Sequence, residues 1–353
     1  MSELFVAAGG GGDPVGTAIT AATVGRLLTG TCLAGATIAT YAWERLEVDP
    51  TPGPLGVAHF TGLARRAGVP HFEPATRPIA PAGSTLPGLA ADLPARLALL
   101  DPWQGLTGLA EQIRRLVDRG HDHVRIVDVG GDILAHGDED TLCSPLVDAL
   151  VLAACRLAGV PATVHVAGPG TDGEIPQDDV LGRLDGAPLT PLAQDLAAVR
   201  TALSWHPSEA SALFAAAVEG VRGPVRTVGH LVPLTDASAR IHSTGLDDAL
   251  AHNTVAAHLL AALPPTLEAA ADLSAGLTRI HELDRERGPV RGPCAGGVLP
   301  ESAEAATDAI RAAAQGAPHV TLRYAARTLG LTWRQIPSLR RLLGAEGPVL
   351  ALA

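Results

Sequence analysis

The chain of 353 residues is long enough to bury a large core, as one α/β domain or as one domain with an appendage. Apolar residues make up 47% but aromatics only 3%, a composition of helix-rich, small-residue packing that excludes an all-β sandwich. A net charge of −11 opposes general binding to nucleic acid or acidic membranes, and the lack of any lysine excludes both a Schiff-base lysine and a phosphate-loop lysine.

In chain order, Leu4 to Ala8 reads as a short strand, followed by Gly9-Gly10-Gly11-Gly12-Asp13-Pro14 and a helix to about Leu28. Thr31 to Trp43 reads as a second strand ending in Trp43-Glu44-Arg45. The prolines of residues 47–58 forbid helix and sheet ladder alike, so this stretch is extended loop. Signals from Gly62 to Leu100 are mixed, with a proline-rich loop from Pro70 to Pro87. Leu106 to Arg119 is a periodic helix leading into the β-branched run Val124–Val129, which ends in two glycines as a buried strand does. Ser144-Pro145 starts a helix to Ala158, with the serine hydroxyl expected to accept an orphan N–H.

Ala162 to Ala167 is a further strand, running into Gly168-Pro169-Gly170-Thr171-Asp172-Gly173-Glu174. Helices are expected near 192–204 and 208–220. Val225 to Leu234 reads as one strand that feeds a loop from Thr235 to Thr244. Long alanine/leucine helices follow at about 246–262 and 265–286, with a glycine/proline break at 288–297. Strand–loop–helix units in series imply a parallel sheet covered on both faces, whose post-strand loops gather at one edge.

Those loops carry the candidate chemistry. Asp128, Asp132, Glu139, Asp172 and Glu174 are candidate acid–base groups, and Asp128 with Asp132 is the pair that would hold a divalent cation, magnesium or calcium. The long acidic loop between strand and helix is itself uncommon and points to function. Asp148 competes with a plain structural reading, because a carboxylate in a first helical turn is favoured by the dipole. Asp138 and Asp140 read as solvated. Candidate ligand contacts are Gly9, Gly10, Gly11, Gly12, Asp13, Glu44, Arg45, Gly130, Gly131, Ser144, Asp148, Gly170, Gly173, Thr235 and Arg240. The glycine loop fits the dinucleotide fingerprint only loosely, since Asp13 sits where a phosphate is expected. His230 and His242 offer acid–base chemistry but read more simply as structural.

Taken in order, Gly9-Gly10-Gly11-Gly12-Asp13, Trp43-Glu44-Arg45 with Asp49-Pro50-x-Pro52-Gly53-Pro54, Asp128-x-Gly130-Gly131-Asp132 with Ser144-Pro145-Leu146-x-Asp148, and Gly168-x-Gly170-x-Asp172-Gly173-Glu174 resemble the prokaryotic family Domain of Unknown Function 1152. The resemblance implies a cytoplasmic α/β protein and no particular activity. A fainter likeness to nucleoside hydrolases lies in the strand–Asp–loop pattern and Asp148-Ala149-Leu150, without those enzymes' tight N-terminal aspartate cluster.

A rival signal stands at the C-terminal end. Ala326, Gly330, Leu331, Ile336 and Leu339 fall at spacings similar to a helix-turn-helix, among Arg323, Arg327, Arg334, Arg340 and Arg341. Pro337 is expected to break the reading helix, so an amphipathic helix packed on the main domain is preferred. Cys32, Cys143, Cys155 and Cys294 show neither paired nor zinc-type spacing, which fits a reduced, cytoplasmic protein. No signal peptide and no apolar span long enough for a bilayer are read.

The expected fold is a Rossmann-like three-layer α/β/α arrangement with a mainly parallel sheet and extra C-terminal helices. Residues 1–290 would form a nucleotide-binding-like domain and 291–353 a helical segment packed on it. The expected function is an enzyme acting on a nucleoside-, nucleotide- or sugar-phosphate-type metabolite by hydrolysis or group transfer. The alternatives are an oxidoreductase or methyltransferase with its cofactor at the glycine loop, and a ligand-sensing DNA-binding regulator. The expected partners are a small anionic substrate and, in a homo-oligomer such as a dimer, a second copy of the chain, with no nucleic acid and no membrane.

Overall fold

The computed structural model describes residues 3–51, 53–66, 68–118, 121–287 and 296–352. Pro52, Arg119, Cys294 and the expected boundary between 290 and 291 lie outside the described residues. The apolar runs form strands Leu4–Ala7 (β1), Thr37–Tyr41 (β2), Ala64–Arg66 (β3), Val69–Phe72 (β4), Arg96–Leu100 (β5), Val124–Val129 (β6) and Ala162–Ala167 (β7). Gly223–Arg226 (β8), Leu231–Leu234 (β9), Ile241–Gly245 (β10), His319–Thr321 (β11) and Val349–Ala351 (β12) follow.

Eight strands form the main sheet in the order β10-β7-β6-β1-β2-β5-β4-β3. The pairs β7–β6, β6–β1, β1–β2 and β2–β5 are parallel, while the outer pairs β10–β7, β5–β4 and β4–β3 are antiparallel. Within β1, Leu4 and Val6 face one layer of core, and Phe5 and Ala7 the other. That alternation makes a sheet buried on both sides, and the fold is a Rossmann-like three-layer α/β/α arrangement. Helix Asp13–Val24 (α1) covers one face, and Gly105–Val117 (α2) with Pro145–Ala158 (α3) covers the other.

From β1 the chain winds to β2 and β5 on one side, then returns to lay β6 and β7 on the other. Strand order therefore reverses between β1 and β6, and a crevice opens beyond their carboxyl ends. The loops after β1 and β6 border it.

Several elements differ from the sequence reading. Residues 225–234 form a hairpin, β8–β9, rather than one strand, and it belongs to a second sheet of order β9-β8-β11-β12. The stretch beyond residue 296 is thus not only helical: it lends β11 and β12 to that sheet, beside helices Ala303–Ala313, Leu322–Thr328 and Ile336–Leu343. Pro337 occupies the first turn of that last helix, where its missing N–H costs nothing, so it starts the helix rather than breaking it.

The expected loop at 235–244 ends in β10, an antiparallel edge strand. The expected helix at 246–262 is split at Asn253, whose side chain caps the following helix at Ala256 N (2.8 Å). The helix at 265–286 is interrupted at Arg279, a left-handed C-cap at φ 64°. The stretch from Pro70 to Pro87 holds most of β4, and helix Leu86–Asp92 begins within it. Pro70 is tolerated there because β4 pairs with β5 only through His71 and Phe72, so Pro70 lies outside that ladder. No described helix is long and apolar enough to cross a membrane.

Candidate active site

Asp128 is the fifth residue of β6, and its side chain shares the face of Val124 and Ile126, which α3 covers. Asp148 projects from the first turns of α3, and Asp132 opens a single helical turn after the two glycines. Oxygens of these three aspartates all lie within 4.8 Å of one another, and all three residues are buried. Neither oxygen of Asp148 has a hydrogen-bond partner, nor has Oδ2 of Asp128. The helix dipole is therefore not what retains Asp148: a carboxylate 1% exposed without one hydrogen bond is a costly thing to keep for it.

Burial drives all three carboxyls well above their usual range. Neighbouring charges add to it: Asp13 and Asp172 act on Asp128, Asp148 on Asp132, and Asp128 on Asp148. Three like charges this close and dry cannot all ionise without a cation.

Asp172, from the loop after β7, borders the same cavity. Its Oδ1 accepts from Glu174 N (3.0 Å), and Oδ2 is buried without a partner. Burial, with the Glu174 charge behind it, raises Asp172 to about 7. Gly130, at φ 135°, is where this approach is made: a Cβ there would occupy the place of the Asp172 carboxylate.

Asp13 takes the place of an anion on the glycine loop. Its Oδ2 accepts from Gly9 N at 3.0 Å, so the helix start is occupied by the chain's own carboxylate. Burial pushes Asp13 up to about 7, against the amides of Gly9 and Val129 and the Arg45 charge. Gly11 lacks a Cβ because the Glu44 carboxylate lies 2.6 Å from where one would be. Glu44 in turn accepts from Thr85 N (2.6 Å), Thr85 Oγ1 (2.7 Å) and Ser84 Oγ (3.1 Å), a clamp on the loop that begins helix Leu86–Asp92.

Ser144 does not cap α3 as expected. Its hydroxyl donates to Glu174 Oε1 (2.7 Å), and Glu174 Oε2 takes the amides of Cys143 (2.7 Å) and Ser144 (2.9 Å). Leu146 N donates to Glu282 Oε2 (2.9 Å). Glu282 thus does for a first-turn amide what a local serine was expected to do, while Glu174 fastens the two residues just before the helix. Arg45 lies 3.7 Å from Glu174.

The cavity, about 320 Å³, collects Gly9, Gly12, Asp13, Glu44, Arg45, Asp128, Asp132, Ser144, Asp148, Asp172 and Glu174 from the expected residues. Gly10, Gly11, Gly130, Gly131, Gly170 and Gly173 do not line it: Gly10, Gly11, Gly130 and Gly173 lie against the lining residues Trp43, Glu44, Asp172 and His230, whereas Gly131 and Gly170 face Val180 and Gln177. Three candidates stand away from it. Glu139, despite a burial that favours its neutral form, is held below its usual range by the His136 amide, Arg183 and the Gly137 amide, and serves as a loop clamp. Thr235 donates to Gln177 (2.7 Å), and Arg240 donates to the Thr190 hydroxyl, both outside the cavity. Asp138 and Asp140 are exposed.

Other lining residues were not site candidates in the sequence: Glu47, His206, Ser208, Glu209 and, from beyond the main sheet, Arg323, which was noted only in the basic C-terminal segment. Burial holds His206 down to about 3, so its ring is neutral, with Nδ1 accepting from Ser208 N (3.2 Å). Altogether nine carboxylates and two arginines line the cavity.

Neither a curated protein nor a solved structure matches the chain. Residues 4–290, spanning every strand of the main sheet, match the family described as Protein of unknown function (DUF1152), and the chain belongs to that family.

Proposed function

We propose that this protein is a divalent-cation-dependent enzyme that hydrolyses, or transfers a group from, a nucleoside-, nucleotide- or sugar-phosphate-type metabolite. The observation that carries the reading is the buried triad of Asp128, Asp132 and Asp148, within 4.8 Å of one another and with three oxygens unpartnered. An all-carboxylate donor set suits a hard cation, magnesium, manganese or calcium, rather than zinc or copper. A bound cation would supply charge for the anionic part of the substrate and polarise the bond to be broken.

The charge balance supports the same reading. Against nine carboxylates and two arginines, a free anion would be repelled, whereas an anion presented to a cation would be held. Asp172, near 7 with Oδ2 unpartnered, is placed to take a proton from an attacking water or hydroxyl. Asp13, also near 7, is suited to return a proton to the leaving oxygen.

A nicotinamide or methyl-donor cofactor at the glycine loop is less well supported, because Asp13 already accepts the Gly9 amide that a phosphate would use. A DNA-reading role is less well supported too. Trp333, at the start of the helix that would read bases, packs towards Trp205 with ring centroids 6.3 Å apart, and Arg323 lines the cavity. A cytoplasmic location fits Cys32 and Cys155, neither of which is in a disulfide.

The test is a thermal-shift titration with magnesium, manganese and calcium against a chelator, followed by turnover assays on nucleotides and sugar phosphates. A cation-dependent rise in melting temperature and cation-dependent turnover are expected. No response to any of the three ions would overturn the proposal.

A further inference from the structure

Arg323 reaches the cavity from outside the strands that build it. It is the second residue of helix Leu322–Thr328, directly after β11. It also lies outside residues 4–290, the part of the chain that matches the family. Its guanidinium pairs through Nε with Glu47, from the loop after β2, and its Nη1 stands 3.8 Å from Glu209 Oε2.

Glu209 is already engaged: its carboxylate accepts from Val228 N at 3.0 and 3.2 Å and from the Thr321 hydroxyl. At 3.8 Å the contact to Arg323 is an ion pair beyond hydrogen-bond length. A guanidinium carries five donors in a fixed fork, and the two glutamates leave most of them uncommitted. The side chain is 18% exposed and lines the cavity, so those donors are open to a ligand there.

A purely structural latch would account for Thr321 and Val228, which already fasten β11 and the β8–β9 turn to Glu209 without any arginine. It does not account for a second carboxylate, Glu47, holding the same guanidinium at the cavity wall. Two carboxylates around one arginine hold it oriented in a site otherwise dominated by negative charge.

We infer that Arg323 binds an oxyanion of the substrate, phosphate or carboxylate, so that residues 296–352 complete the active site and help set its specificity. The inference rests on the cation-dependent reading above for the other end of the substrate, and it is separable from it by experiment. On entry the oxyanion takes the uncommitted donors of Arg323, and Glu47 is the partner that yields.

The experiment uses the full chain with saturating magnesium, and inorganic phosphate and acetate as probes, with binding followed by calorimetry and melting temperature. Arg323→Gln is expected to weaken binding of the preferred anion about tenfold or more, the loss of one charge-assisted bond, while magnesium affinity stays as in the wild type. Glu47→Gln is expected to tighten anion binding several-fold by freeing the guanidinium, and it serves as the independent variant should Arg323→Gln misfold. Preference for phosphate or for acetate identifies the oxyanion.

Equal anion binding by wild type and Arg323→Gln, or weaker binding by Glu47→Gln, would overturn the inference. So would a wild type that binds magnesium but neither anion, with the cation reading left intact. Anion binding that depends on Arg323 without any magnesium binding would sustain the inference and overturn the cation reading. Neither kind of binding would overturn both.

Discussion

Replacing Asp148 with asparagine tests the aspartate triad without changing its shape. At 4.8 Å, the upper limit of the oxygen separations, two ionised carboxylates repel by about 3–4 kcal/mol at an effective dielectric of about 20. Protonation of one member in the metal-free protein already relieves part of this, because burial raises all three. The calculated repulsion is therefore the scale for one fully ionised pair at its widest separation, approached as pH rises.

For 353 residues, an unfolding entropy of about 0.7 kcal/mol/K converts that scale into about 4–5 °C of melting temperature. Asp148→Asn should thus melt as high as the wild type, or higher by a shift of that order, in chelator. The rise on adding magnesium, manganese or calcium should be lost. Differential scanning calorimetry with and without each ion, at pH 6 and pH 8, measures both effects. A variant that melts several degrees lower in chelator yet keeps its cation-dependent rise would refute the argument and make Asp148 a structural residue.

Asp13 and Asp172, both carried by burial from 3.8 to about 7, hold protons in the folded state that the unfolded chain has released. Stability in chelator should therefore fall as pH rises from about 4 to about 7, by at most about 4 kcal/mol for each; urea midpoints that climb across this window would contradict it. Glu282→Ala leaves the buried Leu146 amide at the start of α3 unpaired and should cost about 1–3 kcal/mol in urea unfolding. An unchanged midpoint would show that another group takes that amide. Gly130→Ala sets a methyl group where the Asp172 carboxylate lies, at φ 135°, and should cost about 2 kcal/mol or more together with turnover. A fully active, fully stable variant would mean that the loop has room that its geometry denies.

Much of the sheet was legible because its code is local. Val124–Val129, Pro145–Ala158 and Ala162–Ala167 are runs whose residue types and flanking punctuation act within a few positions, and they fold where they were read. Arg96–Leu100 was not read as a strand: it contains leucine and alanine but no β-branched residue, and only its place between β2 and β4 makes it one. Asp13, Asp128, Asp132 and Asp172 were legible as candidates because each lies at the end of a strand or in the loop after one, at the edge where such loops must gather.

Glu282, Glu47, His206, Glu209 and Arg323 were not legible, since what brings them to the site is packing between segments far apart in the chain. Ser144 misled for the same reason. A serine before proline caps its own helix only if no better acceptor arrives, and Glu174 arrives from thirty residues away.

The second sheet carries a consequence for the order in which the protein is made. β8 pairs with β9 in a local hairpin, but its other neighbour is β11, which pairs with β12, so the second sheet is completed only once residues 319–351 have left the ribosome. The main sheet draws its strands from residues 4–245 and is free to form well before that. During synthesis there is then an interval in which the aspartates are assembled while the wall bearing Arg323 is still missing, and loop closure across so long a stretch is slow. A nascent chain in that interval would present the aspartates before Arg323, an ordering imposed by topology alone.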